Sequence, residues 1–208
     1  MSERLELLMA WAPFLMGGFG VNILIAVVAT IIGTAVGAVF AVMGLSKSRP
    51  LVGLSDVTSS FFRNVPTLVL VFYLAMLIPN EILFSEGRAI QVPLWVKASI
   101  ALSASPLGFT SWNLRRSILM WTSGKRSAAL MFVPNWLSGF LITLMASSAS
   151  SLVGLSDLVG RSNTVIAATG SSNSMLIYLF AALIFIIFGV AFSWVVNRTV
   201  ASLVIRYS

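Results

Sequence analysis

The sequence predicts an all-α polytopic membrane protein of about five transmembrane helices, with the N-terminus outside and the C-terminus inside. Three observations predict it: composition, the spacing of long apolar runs, and the placement of lysine and arginine. Of 208 residues, 58% are hydrophobic and 9% charged. A soluble domain carries about 25% charged residues and about 45–50% apolar ones. This chain therefore has too little polar surface to cover a water-facing globule.

The same composition excludes whole classes of function. There is no Cys, so disulfides and thiolate metal sites are impossible. There is no His, the commonest general base and metal ligand. Six scattered acids cannot assemble a carboxylate pair or a Ser/His/Asp triad. The chain is not expected to be an enzyme, to bind a metal or to need a cofactor. Its net charge of +7 lies between apolar runs and points to membrane orientation rather than nucleic acid. The N-terminus, Met-Ser-Glu-Arg-Leu-Glu-Leu-Leu, contains acids and lacks a clear cleavage site, unlike a secretory signal.

A bilayer-crossing helix needs about 20 apolar residues. No charge occurs between Glu6 and Lys47, too long a run for one ordinary span. The cluster Gly17–Gly20 is expected to divide it, leaving residues 1–19 as an interfacial segment and 20–205 as a five-helix core of a single domain, 1–208. The first span then runs from Val21 to Leu45. The second begins at Phe61-Phe62-Arg63-Asn64 and stops at Pro79. The third covers Leu94–Leu114; Ser103–Gly108 in its middle points it inward, where protein can satisfy the freed backbone groups. The fourth covers Ala128–Leu152 and the fifth Met175–Val196.

With the N-terminus outside, inner segments hold Lys47, Arg49, Arg63, Arg115, Arg116, Lys125, Arg126, Arg198 and Arg206. Outer segments hold only Arg4, Arg88, Lys97 and Arg161, beside Glu3, Glu6, Glu81, Glu86 and Asp157. Nine bases against four favours this orientation.

Several polar features admit a structural and a functional explanation. Gly33 and Gly37 have the G-x-x-x-G spacing that lets a second helix approach closely, and such spacings also arise by chance in Gly-rich spans. Arg63 and Asn64 at the mouth of the second span are an interfacial anchor or a path element. Asn113 and Arg116, three residues apart, share a helix face that either lines a pathway or anchors the inner leaflet. Ser147 and Ser148, in Met145–Ser151, serve tight packing or a hydrophilic lining. One hexapeptide, Leu-Val-Gly-Leu-Ser-Asp, occurs at Leu51–Asp56 and again at Leu152–Asp157. Three expected spans separate the copies, which puts them on opposite faces. Their flanks are unlike, so the recurrence is read as coincidence rather than duplication.

In order and spacing, the chain resembles the membrane-spanning permease subunits of ATP-binding-cassette (ABC) importers of the polar amino acid uptake group. That group reads R-G-T-P-L-L-V at the second span; here Arg63-Asn64-Val65-Pro66-Thr67-Leu68-Val69 matches at Arg63, Pro66, Leu68 and Val69. Its third span ends like G-A-Y-L-A-E-I-V-R-G-G-I; here Gly108 and Arg116 are kept and Asn113 replaces the acid. Its V-I-G-V-x-E-L is similar to Leu152–Leu158, with Gly154, Asp157 and Leu158 in step. Its K-x-T-S-L is similar to Met145–Ala149, keeping Ser148 and losing the Lys. The main departure is the E-A-A-x-x-x-G coupling loop. Its counterpart keeps Gly124, Ala128 and Ala129 beside Lys125 and Arg126, but has Ser127 for the Glu, lacks the downstream Gly and is shortened.

The resemblance implies a type I ABC importer permease of a bacterial cytoplasmic (inner) membrane. It would import an amino acid or a derivative and work with a second permease subunit as a hetero-dimer, cytoplasmic ATP-binding subunits and an extracytoplasmic solute-binding protein. It implies a path lined by Asn64, Asn113, Ser147 and Ser148, coupling through residues 124–129, and gating or structural roles for Arg63, Pro66, Gly108, Arg116 and Asp157. ATP hydrolysis falls to the partners, since no G-x-x-x-x-G-K-[ST] phosphate cradle is present. A competing expectation is a non-transporting scaffold or assembly subunit that keeps the permease fold, supported by the shortened loop. A small secondary carrier is disfavoured, because no acid falls within an expected span to relay a proton.

Overall fold

A computed structural model describes residues 2–83 and 89–207, and the side chains of 3–82 and 89–198. Glu86 and Arg88, counted above as outer charges, lie outside the described residues, as does the side chain of Arg206.

Helix α1 runs unbroken over Ser2–Met43. The glycine cluster expected to divide it does not, because a Gly costs a helix only about 1 kcal/mol and an apolar setting penalises any unpaired backbone group far more. At about 1.5 Å per residue, these 42 residues reach about 63 Å, twice the hydrocarbon core of about 30 Å. The glycines have another use. A Cβ on Gly18 would lie 2.9 Å from the Asp157 carbonyl, and one on Gly17 would lie 2.5 Å from Arg161 Nη1. They are the seat on which a later segment docks.

Next come α2 (Arg49–Asn64) and α3 (Thr67–Leu77), bent by 105° at the break between them. Pro66 causes the break: it has no N–H to donate, and it holds Val65 extended at φ −77°, ψ 130°. The expected second span is corrected accordingly. Phe61–Asn64 belong to α2, and the 11 residues of α3 reach only about 17 Å. Helix α2 turns its hydroxyls inward: Ser55 and Ser59 are buried, whereas Leu51, Leu54, Val57 and Phe61 are exposed. Ser55 Oγ donates to the Phe40 carbonyl at 2.7 Å. A short hairpin follows, β1 (Glu81–Leu83) antiparallel to β2 (Ala89–Gln91), with Ile82 opposite Ile90.

Helices α4 (Leu94–Leu102) and α5 (Ala104–Thr122) occupy the expected third span and pass beyond it. They are the inward element that their Ser, Pro and Gly predict: Ala98, Leu102, Pro106, Gly108, Thr110 and Ser111 are all buried. The G-x-x-x-G pair in α1 makes this packing possible. A Cβ on Gly33 would come within 2.4 Å of the Ser103 carbonyl, and one on Gly37 within 2.7 Å of the Leu107 carbonyl.

The chain closes with α6 (Arg126–Leu130), α7 (Phe132–Ala146), a 3₁₀ turn over Ser147–Val153, α8 (Leu158–Thr169), a second 3₁₀ turn over Ser171–Asn173, and α9 (Ser174–Tyr207). Two apolar cores flank α1. One gathers Leu15, Phe19, Leu144, Leu158, Val165 and Ile177, with Phe19 edge-on to Phe185 and Phe188. The other gathers Ile25, Ala29, Val71, Ala98 and Leu102. Among the described residues, Glu3–Met43, Arg126–Val153 and Ser171–Arg198 are long and apolar enough to cross a membrane, and the bent pair α2–α3 makes a fourth if taken as one span. The pair α4–α5 is not among them; Lys97 and the serines at 99, 103, 105 and 111 dilute its apolar character.

Candidate functional site

The polar groups gather at the two ends of α1. Gly18 abuts Asp157, whereas Gly44 abuts Ser55 and Arg115. Those glycines are 26 residues apart, about 39 Å along the helix. The two copies of the hexapeptide therefore sit at opposite ends of the bundle.

At the Gly44 end, the tip of α2 lies directly on α5. A Cβ on Gly108 would approach Arg63 N and Phe62 C at 2.8 Å, so only Gly permits the contact. The Arg63 guanidinium stacks 4.4 Å above the Trp112 ring, and Arg115 pairs with Asp56. Asn64 is exposed and donates to Ser60 Oγ on its own helix, 3.0 Å away. Pro66 is the hinge between α2 and α3.

Gly124, at φ +79°, ends α5 in the left-handed conformation that a Cβ disfavours. Lys125 then opens the short helix α6. Residues 121–128 are exposed, while Ala129 is buried and accepts a 2.7 Å hydrogen bond from Ser117 Oγ at its carbonyl. Between α5, α6 and the start of α7 lies a cavity of about 260 Å³, bordered by Asn113, Arg116, Ala128 and Asn135. Asn113 rests its Nδ2 on the Phe109 carbonyl at 3.0 Å, which leaves its Oδ1 for other donors. The structure thus brings Asn113 and Arg116 together with the segment 124–129.

It does not bring Ser147 or Ser148 to them. Ser147 is fully buried beside Asn22, and Asn22 precedes Gly37 by about 22 Å along α1. Asn22 Nδ2 donates to Ser147 Oγ (2.9 Å) and Asp157 Oδ2 (3.2 Å), and its Oδ1 accepts from the Leu158 amide at 2.9 Å. Asp157 caps α8, its Oδ1 accepting from Gly160 N at 2.8 Å. Arg161 completes the dock by donating from Nη1 to the Phe14 carbonyl at 2.7 Å. Burial pushes the Asp157 carboxyl above its ordinary value, and the hydrogen bonds from Gly160 and Asn22 oppose that shift. Ser148 points elsewhere, donating to the Met145 carbonyl at 2.8 Å.

Two residues that carry this architecture were passed over in the sequence. Asn22 is a lone amide within an apolar run, and that isolation was the available signal. Lys97, one of the charges assigned to the outer segments, is buried.

The site sits in an all-α polytopic chain with a hinged entry helix, a glycine-seated central helix and an exposed short helix between two longer ones. Comparisons with known proteins place it further. No protein-family profile matches the chain. It is 26% identical over 177 residues to the arginine transport system permease protein ArtQ of Bacillus subtilis (strain 168), covering 76% of this chain and 78% of that one. It is 28% identical over 137 residues to the glutamate/aspartate import permease protein GltK of Escherichia coli O6:H1, covering 64% of this chain. The match spans 60% of that relative's length. A solved structure of an amino acid ABC transporter with histidines shares the fold, with a TM-score of 0.76 over 94% of this chain and 96% of that one, at 17% identity. The chain is a multi-pass membrane protein related to the permease subunits of amino acid ABC transporters, the family its motifs resemble.

Proposed function

We propose that the chain forms, with a second permease subunit, the translocation path of an ATP-driven importer for a small polar solute, an amino acid or a derivative. The observation that carries this reading is α6. It is a short exposed helix at the end that gathers Arg63, Arg115, Arg116, Lys125 and Arg126, and it shares a cavity with Asn113 and Arg116. A partner that moves α6 moves the wall of that cavity with it. Cytoplasmic ATPase subunits dock there and hydrolyse ATP; an extracytoplasmic binding protein delivers solute at the opposite end. The basic end faces the cytoplasm of a bacterial cell, the N-terminus faces outward and the chain crosses the membrane five times, in keeping with the charge asymmetry.

The test is recovery of an ATPase with the chain in mild detergent, together with solute-stimulated ATP hydrolysis by the complex in proteoliposomes. Charge reversal at Lys125 and Arg126 is expected to release the ATPase while the permease pair stays intact. A second reading has one observation in its favour: α6 has five residues and Ser127 in place of an acid. On that reading the chain is a scaffold, no ATPase is recovered with it, and uptake survives its deletion.

A further inference from the structure

Lys97 is a buried cation that the coupling mechanism leaves unused. It lies in the first turn of α4 and is 3% exposed. Its Nζ donates to the Ile78 carbonyl at 2.9 Å and to Asn80 Oδ1. An ammonium has three donors, so one remains. Both partners are neutral, and the one ion pair among the described residues, Arg115–Asp56, is at the other end of the bundle. A buried charge is costly unless compensated. The first turn of a helix is itself partly positive and disfavours a cation, which deepens the deficit.

The side chain borders an open cavity of about 350 Å³ whose other walls include Ala75, Met76, Pro79, Asn80 and Leu94. Small-ligand sites run from about 300 to about 1,000 Å³ and combine apolar walls with a few fixed polar groups. Asn80 turns Oδ1 toward Lys97, which leaves Nδ2 as a second donor on the same wall. Val153 also lines the cavity, so it opens at the end of the bundle that holds the second hexapeptide, away from α6.

We propose that this cavity is a carboxylate-binding subsite, and that its ligand is the α-carboxylate of a free amino acid, held by Lys97 Nζ and Asn80 Nδ2. The substrate class rests on the importer reading. The carboxylate neutralises the ammonium, and the burial of Lys97 at the cavity wall strengthens the pairing. A solute delivered from that side meets this subsite before it reaches the cavity beside α6.

The assembled transporter is tested with arginine and glutamate, each against the analogue whose α-carboxylate is a carboxamide. In detergent, the acids are expected to raise the unfolding temperature of the wild type and the carboxamides are not. Lys97→Met is expected to abolish that shift and to raise the half-saturating acid concentration for uptake about tenfold or more, with maximal rate retained. Asn80→Asp supplies a tethered carboxylate that competes with the ligand; it is expected to do the same and keeps the test decisive if Lys97→Met fails to assemble. No acid-dependent shift in the wild type, or normal half-saturation in either variant, overturns the proposal. So does a raised requirement for the binding protein with free-solute binding intact, because the carboxylate would then belong to the docked protein. Lys97-dependent binding without uptake overturns the importer reading and leaves the subsite standing.

Discussion

In α2, Leu51–Asp56 is helical throughout, with Leu51 and Leu54 exposed and Asp56 paired at the surface with Arg115. Leu152–Asp157 starts in the tail of a 3₁₀ turn, reverses at Gly154 (φ +88°), and ends with Asp157 fully buried as the cap of α8. Six identical residues thus adopt two conformations and two burial states. Their neighbours decide between them. Arg49-Pro50 starts a helix just upstream of the first copy. A run of serines, each able to compete for backbone hydrogen bonds, precedes the second. Each copy meets a glycine of α1, Gly44 at Ser55 and Gly18 at Asp157, but only the second is captured by a buried amide, Asn22.

Labelling tests this contrast most severely. The chain has no native Cys, so single cysteines at the exposed positions Gly53 and Ser156 report directly. In oriented vesicles, an impermeant thiol reagent is expected to reach one and not the other. Reaction of both from the same side breaks the comparison.

Next in size is Asn22→Leu, which leaves the Leu158 amide without its acceptor and takes one of the hydrogen bonds of Ser147 and of Asp157. It is expected to cost about 1–3 kcal/mol, the range for a buried group left unpaired. Thermal unfolding of purified protein measures the loss, and a cost below about 1 kcal/mol would demote the network.

The shared glycine gives a test with opposite signs. Gly154→Ala forces a Cβ onto a left-handed backbone and is expected to destabilise by about 1 kcal/mol or more. Gly53→Ala, in a helix with nothing within 4 Å of the new methyl, is expected to stabilise by about 0.5–1 kcal/mol. Equal effects at both sites would mean that the two glycines share a conformation.

The shared aspartate gives the smallest and most discriminating test. Burial raises the Asp157 carboxyl above the ordinary 3.8, so the folded state holds its proton more tightly than the unfolded chain does. Its contribution to stability is full below 3.8 and is lost as pH rises through the raised value. Asp157→Asn is expected to flatten that acid-range slope in unfolding measurements. Asp56→Ala, which removes only a surface ion pair, is expected to cost under about 1 kcal/mol.

The all-α polytopic character, the inward character of Ser103–Gly108 and the close-approach glycines Gly33 and Gly37 were legible, because each depends on local apolar length or residue size; the bounds of the first two spans were not. The proximity of Asn113, Arg116 and residues 124–129 was legible, because they lie within about 16 positions of one another and converge through one turn. The surroundings of Ser147 and Asp157 were not, because their partner Asn22 is 125 and 135 residues away. The bend at Pro66 was visible as a proline, though not as a 105° turn.

By itself, the sequence determined that the chain lives in a membrane, which end is basic, and which family its motifs resemble. Those properties are sums over residues or strings of neighbours, and the transfer of side chains from water obeys them whatever the packing. Tertiary packing alone settles which copy of the hexapeptide buries its aspartate, that α1 passes unbroken through its glycines, and that Lys97 lies inside. Each of those depends on what a distant segment brings to within 3 Å, and the energy of a buried polar group is set by that partner rather than by its place in the chain.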